Sequence, residues 1–192
     1  MILKPIEIWT IGHSTRSGEE FIALLQDNQV KALADVRRFP GSRRYPQFGQ
    51  AQLASALEKS GIEYFHFPDL GGRRRPRPDS PNTAWRNEAF RGYADYMMTE
   101  PFRAAVERLL KVARSKRAAM MCAEAVWWQC HRGLIADYLK AMGHAVWHIS
   151  GTGRVEPHPF TSAARIVDGQ LSYAEAAQEL ELPLHRDPKP AA

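Results

Sequence analysis

The chain has little of several things that would settle its class at once. Its 192 residues include only two cysteines, Cys122 and Cys130. That is too few for a disulfide framework, so a reducing cytoplasm is the expected compartment. No apolar run approaches the roughly 18 residues of a membrane span, which argues against a membrane partner. The opening stretch, MILKPIEIWTIGHST, meets charge early at Lys4 and Glu7 and has no apolar h-region, so no signal peptide is expected. A G-x-x-x-x-G-K-[ST] phosphate loop is absent, and GTGRVE begins like a dinucleotide fingerprint but lacks its third glycine. The C-x7-C-H spacing is not a standard zinc pattern, so no metal is assigned and no cofactor is named. The spacings from Cys122 and Cys130 to Arg132 do not match a cysteine phosphatase or sulfurtransferase loop.

Acidic residues are scarce in one segment. Residues 37 to 77 hold nine basic side chains, eight of them arginine, against three acidic ones, a net of +6. The rest of the chain has a net of −1, so the overall +5 comes from that segment. Such a patch suits an anionic partner, a nucleotide or nucleic acid, although a solvated arginine surface has the same composition.

What is present reads as an α/β protein. Strands are expected at 6–11, 31–36, 62–67, 118–122 and 145–149, from short β-branched, aromatic or apolar runs. Helices alternate with them. One opens at the capping box Ser17-x-x-Glu20, one covers 51–60 and stops at Gly61, two lie near 85–98 and 101–114, and one runs from about 130 to 142. SYAEAAQEL (172–180) reads as a short final helix. Alternation of this kind implies a mainly parallel five-stranded sheet with helices on both faces. A single domain over 1–184 is expected, with a frayed tail at 185–192. DLGGRRRPRPDSPNTA (69–84) is too polar and too broken for regular structure and reads as a long surface loop, either a lid or a solvated loop.

In an open parallel sheet, ligands bind beyond the carboxyl ends of the strands. The polar residues of this chain collect there: His13 and Ser14 after the first strand, then Asp35, Arg37, Arg38, Ser42 and Arg43 after the second. The arginine loop follows the third strand, Cys122, Glu124, Cys130, His131 and Arg132 follow the fourth, and SGTG follows the fifth. A crevice at that edge is therefore expected. Helical spacing puts His131 on the apolar stripe of Leu134, Ile135, Tyr138 and Leu139, so it points inward, as a core histidine bonded to a carbonyl or as a site residue. Cys130 falls at a helix start, where the dipole and Arg132 would lower its pKa, and the same helix start would bind an anion. Cys122, at the end of an apolar strand, reads as a small buried hydrophobe. Glu124 follows a buried strand, so desolvation would raise its pKa and suit it to acid–base work, or it pairs with an arginine. Asp35 and Arg37, two apart, share a face and favour an ion pair. Trp127 and Trp128 would offer a stacking surface for a base or plug the rim.

Five stretches, TIGHST, DVRRFPGSRR, LGG before an arginine loop, FRGYADYM and MCAEAVWWQCHRGLIADYL, occur in an order that resembles the domain of unknown function 488 family, over about residues 8 to 168. The resemblance places Thr10 to Ser14, Asp35, Arg37, Pro40, Ser42, Arg43, Cys122, Glu124, Cys130, His131 and Arg132 on recurring positions. It departs at Tyr45, where YPQF stands in place of NPQF. It implies a compact α/β domain, usually bacterial and cytoplasmic, with a pocket around CAE…CHR, and it names no substrate.

The residues support an enzyme acting on a phosphate-bearing substrate. Glu124, His13, His131 and Cys130 are its catalytic candidates. Arg37, Arg43, Arg132, Ser14, Ser42 and Asp35 are its anion- or substrate-binding candidates. A non-catalytic nucleic-acid or anion-binding module is the alternative, and a thiol- or metal-dependent sensor is a third reading.

Overall fold

A computed structural model describes residues 4–41 and 43–175. Eight strands and five α-helices alternate along it: β1 (Glu7–Gly12), α1 (Gly18–Asp27), β2 (Ala32–Asp35), α2 (Gln50–Lys59), β3 (Glu63–His66), α3 (Glu88–Met97), α4 (Glu100–Ser115), β4 (Ala118–Cys122), α5 (Arg132–Ala141), β5 (Ala145–Gly151), β6 (Arg154–Pro157), β7 (Arg165–Val167) and β8 (Gln170–Ser172). The main sheet has the order β3-β2-β4-β1-β5-β6. The five expected strands are all parallel. The sixth, β6, was not foreseen. It folds back antiparallel on β5 through Thr152 and Gly153, with a register shift between Ile149 and Gly151. SGTG is thus part of a hairpin.

Two cores sandwich the sheet, because successive side chains on a strand point to opposite faces. Ile8, Ala34, Met120 and Cys122 face α3, α4 and α5, where Tyr93, Phe102, Leu109 and Leu139 are buried. Trp9, Ile11, Leu33 and Met121 face α1 and α2, against Phe21, Leu25, Leu53 and Leu57. Each fully buried leucine, isoleucine, phenylalanine or methionine among them contributes about 1.5–3 kcal/mol. The capping box at α1 is formed, with Glu20 N–H donating to Ser17 Oγ at 3.1 Å and Ser17 N–H to the Glu20 carboxylate at 2.8 Å. No helix among the described residues is long and apolar enough to cross a membrane.

β4 lies between β2 and β1 although it follows both in sequence, and every residue of it is buried. That insertion brings the carboxyl ends of β1, β2 and β4 side by side, with Gly12 level with Cys122 and Asp35 level with Met121.

The stretch expected as a final helix begins instead as part of a small hairpin. Residues 170–172 are β8, paired antiparallel with β7, and Tyr173 is buried against α5 and its neighbours. Residues 173–175 have no helical structure, and residues 176–180 lie outside the described residues, as does the tail at 185–192.

Candidate active site

A crevice of about 690 Å³ opens at the shared edge, lined by His13, Arg37, Arg38, Arg73, Glu124 and His131 among others. Its floor is set by Gly12. A side-chain carbon there would sit 1.8 Å from the Glu124 carbonyl oxygen, so only glycine lets the 123–125 turn lie across the end of β1. Backbone bonds fasten that turn, from His13 N–H to Cys122 O at 3.0 Å and from Ser14 N–H to Ala123 O at 2.9 Å. Ser14 takes a left-handed φ of 51° to make the corner.

His13 stacks on Phe48 with ring centroids 4.2 Å apart. Its Nδ1 meets the Ser14 carbonyl at 2.9 Å, and a carbonyl only accepts, so Nδ1 carries the proton and Nε2 the lone pair. Burial is the main force on this ring. It outweighs the Ser14 bond and keeps the pKa below the usual histidine value, with Arg37 acting in the same direction.

Asp35 and Arg37 form the ion pair that their spacing suggested. Arg37 Nε and Nη2 donate to the two carboxylate oxygens at 2.9 and 2.6 Å, Tyr64 OH donates to Asp35 at 2.7 Å, and Arg37 Nη2 also meets Phe48 O at 2.9 Å. Both residues are buried, and the carboxylate faces the guanidinium through two hydrogen bonds. They therefore brace the wall as a paired group. Arg43 is exposed and lies outside the crevice lining, and Ser42 lies outside the described residues.

Arg132 also has a different role from the one its type suggested. It is 2% exposed. Nη1 donates to Glu124 O at 2.9 Å and to Cys122 Sγ at 2.7 Å, and Nη2 donates to Ala125 O at 2.9 Å. The guanidinium ties down the turn from behind instead of reaching into the crevice. Cys130 precedes α5 by two residues, but its thiol is pushed up, not down. Burial and the neighbouring Cys122 outweigh Arg132. Glu124 moves the other way from expectation. Burial pulls its pKa up, but donors from Cys122, Cys130 and its own backbone, together with His131, bring it below the ordinary glutamate value. It is a carboxylate at neutral pH.

His131 points inward, as its stripe position implied. Its Nε2 donates to Val36 O at 3.0 Å, its ring packs edge-on to Tyr93, and a side-chain carbon on Gly72 would come within 3.0 Å of its Nδ1. Burial lowers its pKa. Donor atoms of Cys122, Glu124 and Cys130 lie within 4.8 Å of one another, close enough to share a cation. The Arg132 charge against Cys122 opposes one there.

Two groups of residues in this region were not named as site residues from sequence, although Arg38 and the arginine loop were expected at this edge. Arg38 and Arg73 line the crevice, are exposed, and make no ion pair among the described residues. They are the cations a ligand can meet. The second group is a buried chain behind the crevice. Thr10 Oγ1 meets His148 Nδ1 at 2.6 Å, His148 Nε2 meets His158 Nδ1 at 2.8 Å, and His158 Nε2 meets Asp137 at 2.9 Å. Asp137 can only accept from His158, which fixes every proton along the line back to the Thr10 hydroxyl. Trp127 stacks on His148 at 4.6 Å and bonds Glu156, and neither it nor Trp128 lines the crevice. They offer no platform for a base in the site.

The 69–84 loop is held in place. Asp95, buried on α3, accepts from Arg77 N–H at 2.8 Å, Ser80 Oγ at 2.5 Å and Asn82 Nδ2 at 2.8 Å, while Tyr93 and Tyr96 hydroxyls hold the carbonyls of Leu70 and Asp69. Only its start, around Gly72 and Arg73, borders the crevice.

Residues 17–139 match the family model described as Domain of unknown function DUF488. The chain belongs to that family. The DUF488 match includes DVRRFPGSRR, LGG, FRGYADYM and the segment from Cys122 to Leu139, and TIGHST lies just ahead of it. No curated protein and no solved structure matches the chain. In this DUF488 chain His13, Ser14, Arg37, Cys122, Glu124, Cys130 and His131 line one crevice, and Gly12, Asp35 and Arg132 brace it from behind.

Proposed function

We propose that the chain is a cytoplasmic enzyme acting on a phosphate-bearing substrate, a nucleotide or nucleic-acid strand, bound in this crevice. One observation carries the reading: an ionised Glu124 and a neutral His13 with a free Nε2 line the same crevice, beside two arginines that carry no ion pair. Arg38 and Arg73 would take the phosphate oxygens, bidentate contact being the strength of a guanidinium. The Glu124 carboxylate would accept a proton or face a developing positive charge. His13 Nε2 would accept a proton from water or a substrate hydroxyl, its ring held by Phe48 and Ser14. His131 and the cysteines support Glu124 from behind. The volume suits a nucleotide-sized ligand.

A binding module without chemistry needs the arginines alone and gives no reason for a histidine and a carboxylate beside them. Glu124→Gln separates the two. Labelled oligonucleotides, with mononucleotides as competitors, should bind wild type with an affinity whose logarithm falls with log salt. In the variant, turnover of the bound ligand should fall by about 10²–10⁴-fold while binding holds or tightens, since a negative charge has left the crevice. Binding with no chemical change in wild type would favour the module. No binding at low salt would end the phosphate reading.

A further inference from the structure

Arg132 is a buried cation with no carboxylate partner among the described residues. Two backbone carbonyls and one sulfur receive its Nη donors, and its Nε finds no acceptor. A charge held in this way costs several kcal/mol unless an anion lies against it. The one group in contact with it that can become an anion is Cys122 Sγ, 2.7 Å from Nη1. The same sulfur receives a second donor, the Cys130 thiol, with the two Sγ atoms 2.7 Å apart. That separation is within roughly 1 Å of a covalent S–S bond. Burial and Cys122 both favour the protonated form of Cys130. One sulfur thus sits against a guanidinium while its neighbour keeps its proton, which is the division of labour of an attacking and a resolving thiol. Both cysteines border the crevice but are buried in its wall, so a small oxidant reaches them when that wall opens locally, without global unfolding.

We propose that Cys122 and Cys130 are a reversible redox pair, closed by a hydroperoxide to an intramolecular disulfide at the floor of the crevice. The Cys122 thiolate attacks the terminal peroxide oxygen. The O–O bond breaks, hydroxide or alkoxide leaves and takes a proton from water, and Cys122 becomes a sulfenic acid. Cys130 sulfur then attacks Cys122 sulfur, the S–O bond breaks, and the departing hydroxide takes the Cys130 proton as water. Two thiols are oxidised, one peroxide is reduced, and a thiol reductant reverses the result.

The proposal stands apart from the phosphate reading, and its test needs no substrate. The folded chain is treated with hydrogen peroxide, quenched by alkylation, and followed by intact mass and peptide mapping. The expected product lacks two hydrogens, links the peptides holding Cys122 and Cys130, and returns to starting mass with a reductant. The chain unfolded in urea should form it about tenfold more slowly or worse, because the sulfurs are no longer pre-positioned. Cys130→Ser should stop at a sulfenic acid on Cys122 that dimedone traps, and Cys122→Ser should resist peroxide. Equal rates in folded and unfolded chain would overturn the proposal. So would sulfinic or sulfonic acid on one cysteine with the other free, or two untouched thiols.

Discussion

Arg132→Lys tests most directly how the site is built. Lysine keeps the positive charge but replaces a planar fork with a compact ammonium, which cannot reach acceptors spread over Cys122, Glu124 and Ala125. At least two of the three contacts go. Hydrogen bonds to a charged group are worth about 1.5–3 kcal/mol each, and the residual charge stays buried, so the expected loss is about 3–5 kcal/mol. For a chain of this size each kcal/mol is roughly 2–4 °C in Tm, so unfolding should move down by on the order of 10 °C. Urea titration gives the free energy, with an unchanged slope showing that the unfolding transition itself is the same. Arg38→Ala and Arg73→Ala are the controls. Both side chains are exposed and unpaired, so each should leave stability within about 0.5 kcal/mol. Each should weaken a phosphate ligand and reduce the salt slope by about 1. The reasoning fails if Arg132→Lys unfolds within about 1 kcal/mol of wild type while anion binding is lost. That outcome would return the guanidinium to the ligand and make the 123–125 turn self-supporting.

The five parallel strands were legible because each is a short apolar run, and the strand-end rule then gathered the polar residues at the right edge. Pattern reading does not say which polar groups are already satisfied. Asp35 and Arg37 announced their pairing by spacing, since side chains two apart on a strand share a face. Arg38, the next residue, points the other way for the same reason and lies exposed at the crevice, at the edge the strand-end rule indicates. Arg132 carried the sequence features of an anion contact, a basic residue in the first turn of a helix. Its partners are carbonyls of a turn seven and eight residues earlier, whose path depends on Gly12 in β1, and no local pattern records that long-range dependence. The pKa directions of Glu124 and Cys130 were misjudged for a related reason. Each depended on which thiol donates to which acceptor, a matter of a few ångströms. The Thr10–His148–His158–Asp137 line joins β1 to β5, α5 and the residue after β6, and leaves no motif beyond a histidine at an inward position of a strand. β6 escaped because RVEP has no apolar alternation and lies on the sheet edge, where all four residues are exposed.

Two further predictions concern that buried line. Asp137 is fully buried and accepts four hydrogen bonds, from His158, from the Thr161 amide and hydroxyl, and from Tyr173. Asp137→Ala should cost about 3–5 kcal/mol in urea unfolding, because it strands buried donors, and a loss under about 1 kcal/mol would show the network to be dispensable. The line should also make stability depend on pH, with a sign set by His148. Burial above all, with the charges of His158 and Arg132, pushes its pKa down to about 2. Its Nδ1 lone pair is occupied by the Thr10 hydroxyl and its Nε2 proton by His158, so a second proton has nowhere to go without breaking a bond. The unfolded chain binds that proton at about pH 6.5 and the folded chain does not. Stability from this group is therefore complete above pH 6.5 and declines as the pH falls from there toward the folded value. At pH 5 the loss should be about 2 kcal/mol, at 1.36 kcal/mol per pH unit below the unfolded pKa. Wild type and His148→Gln, compared by urea titration at pH 7 and pH 5, isolate the contribution from the other buried histidines. The variant should lose about 2 kcal/mol less than wild type over that interval. Equal losses in both proteins would mean that His148 takes up its proton in the folded state, and the bonded line could not then be neutral along its length.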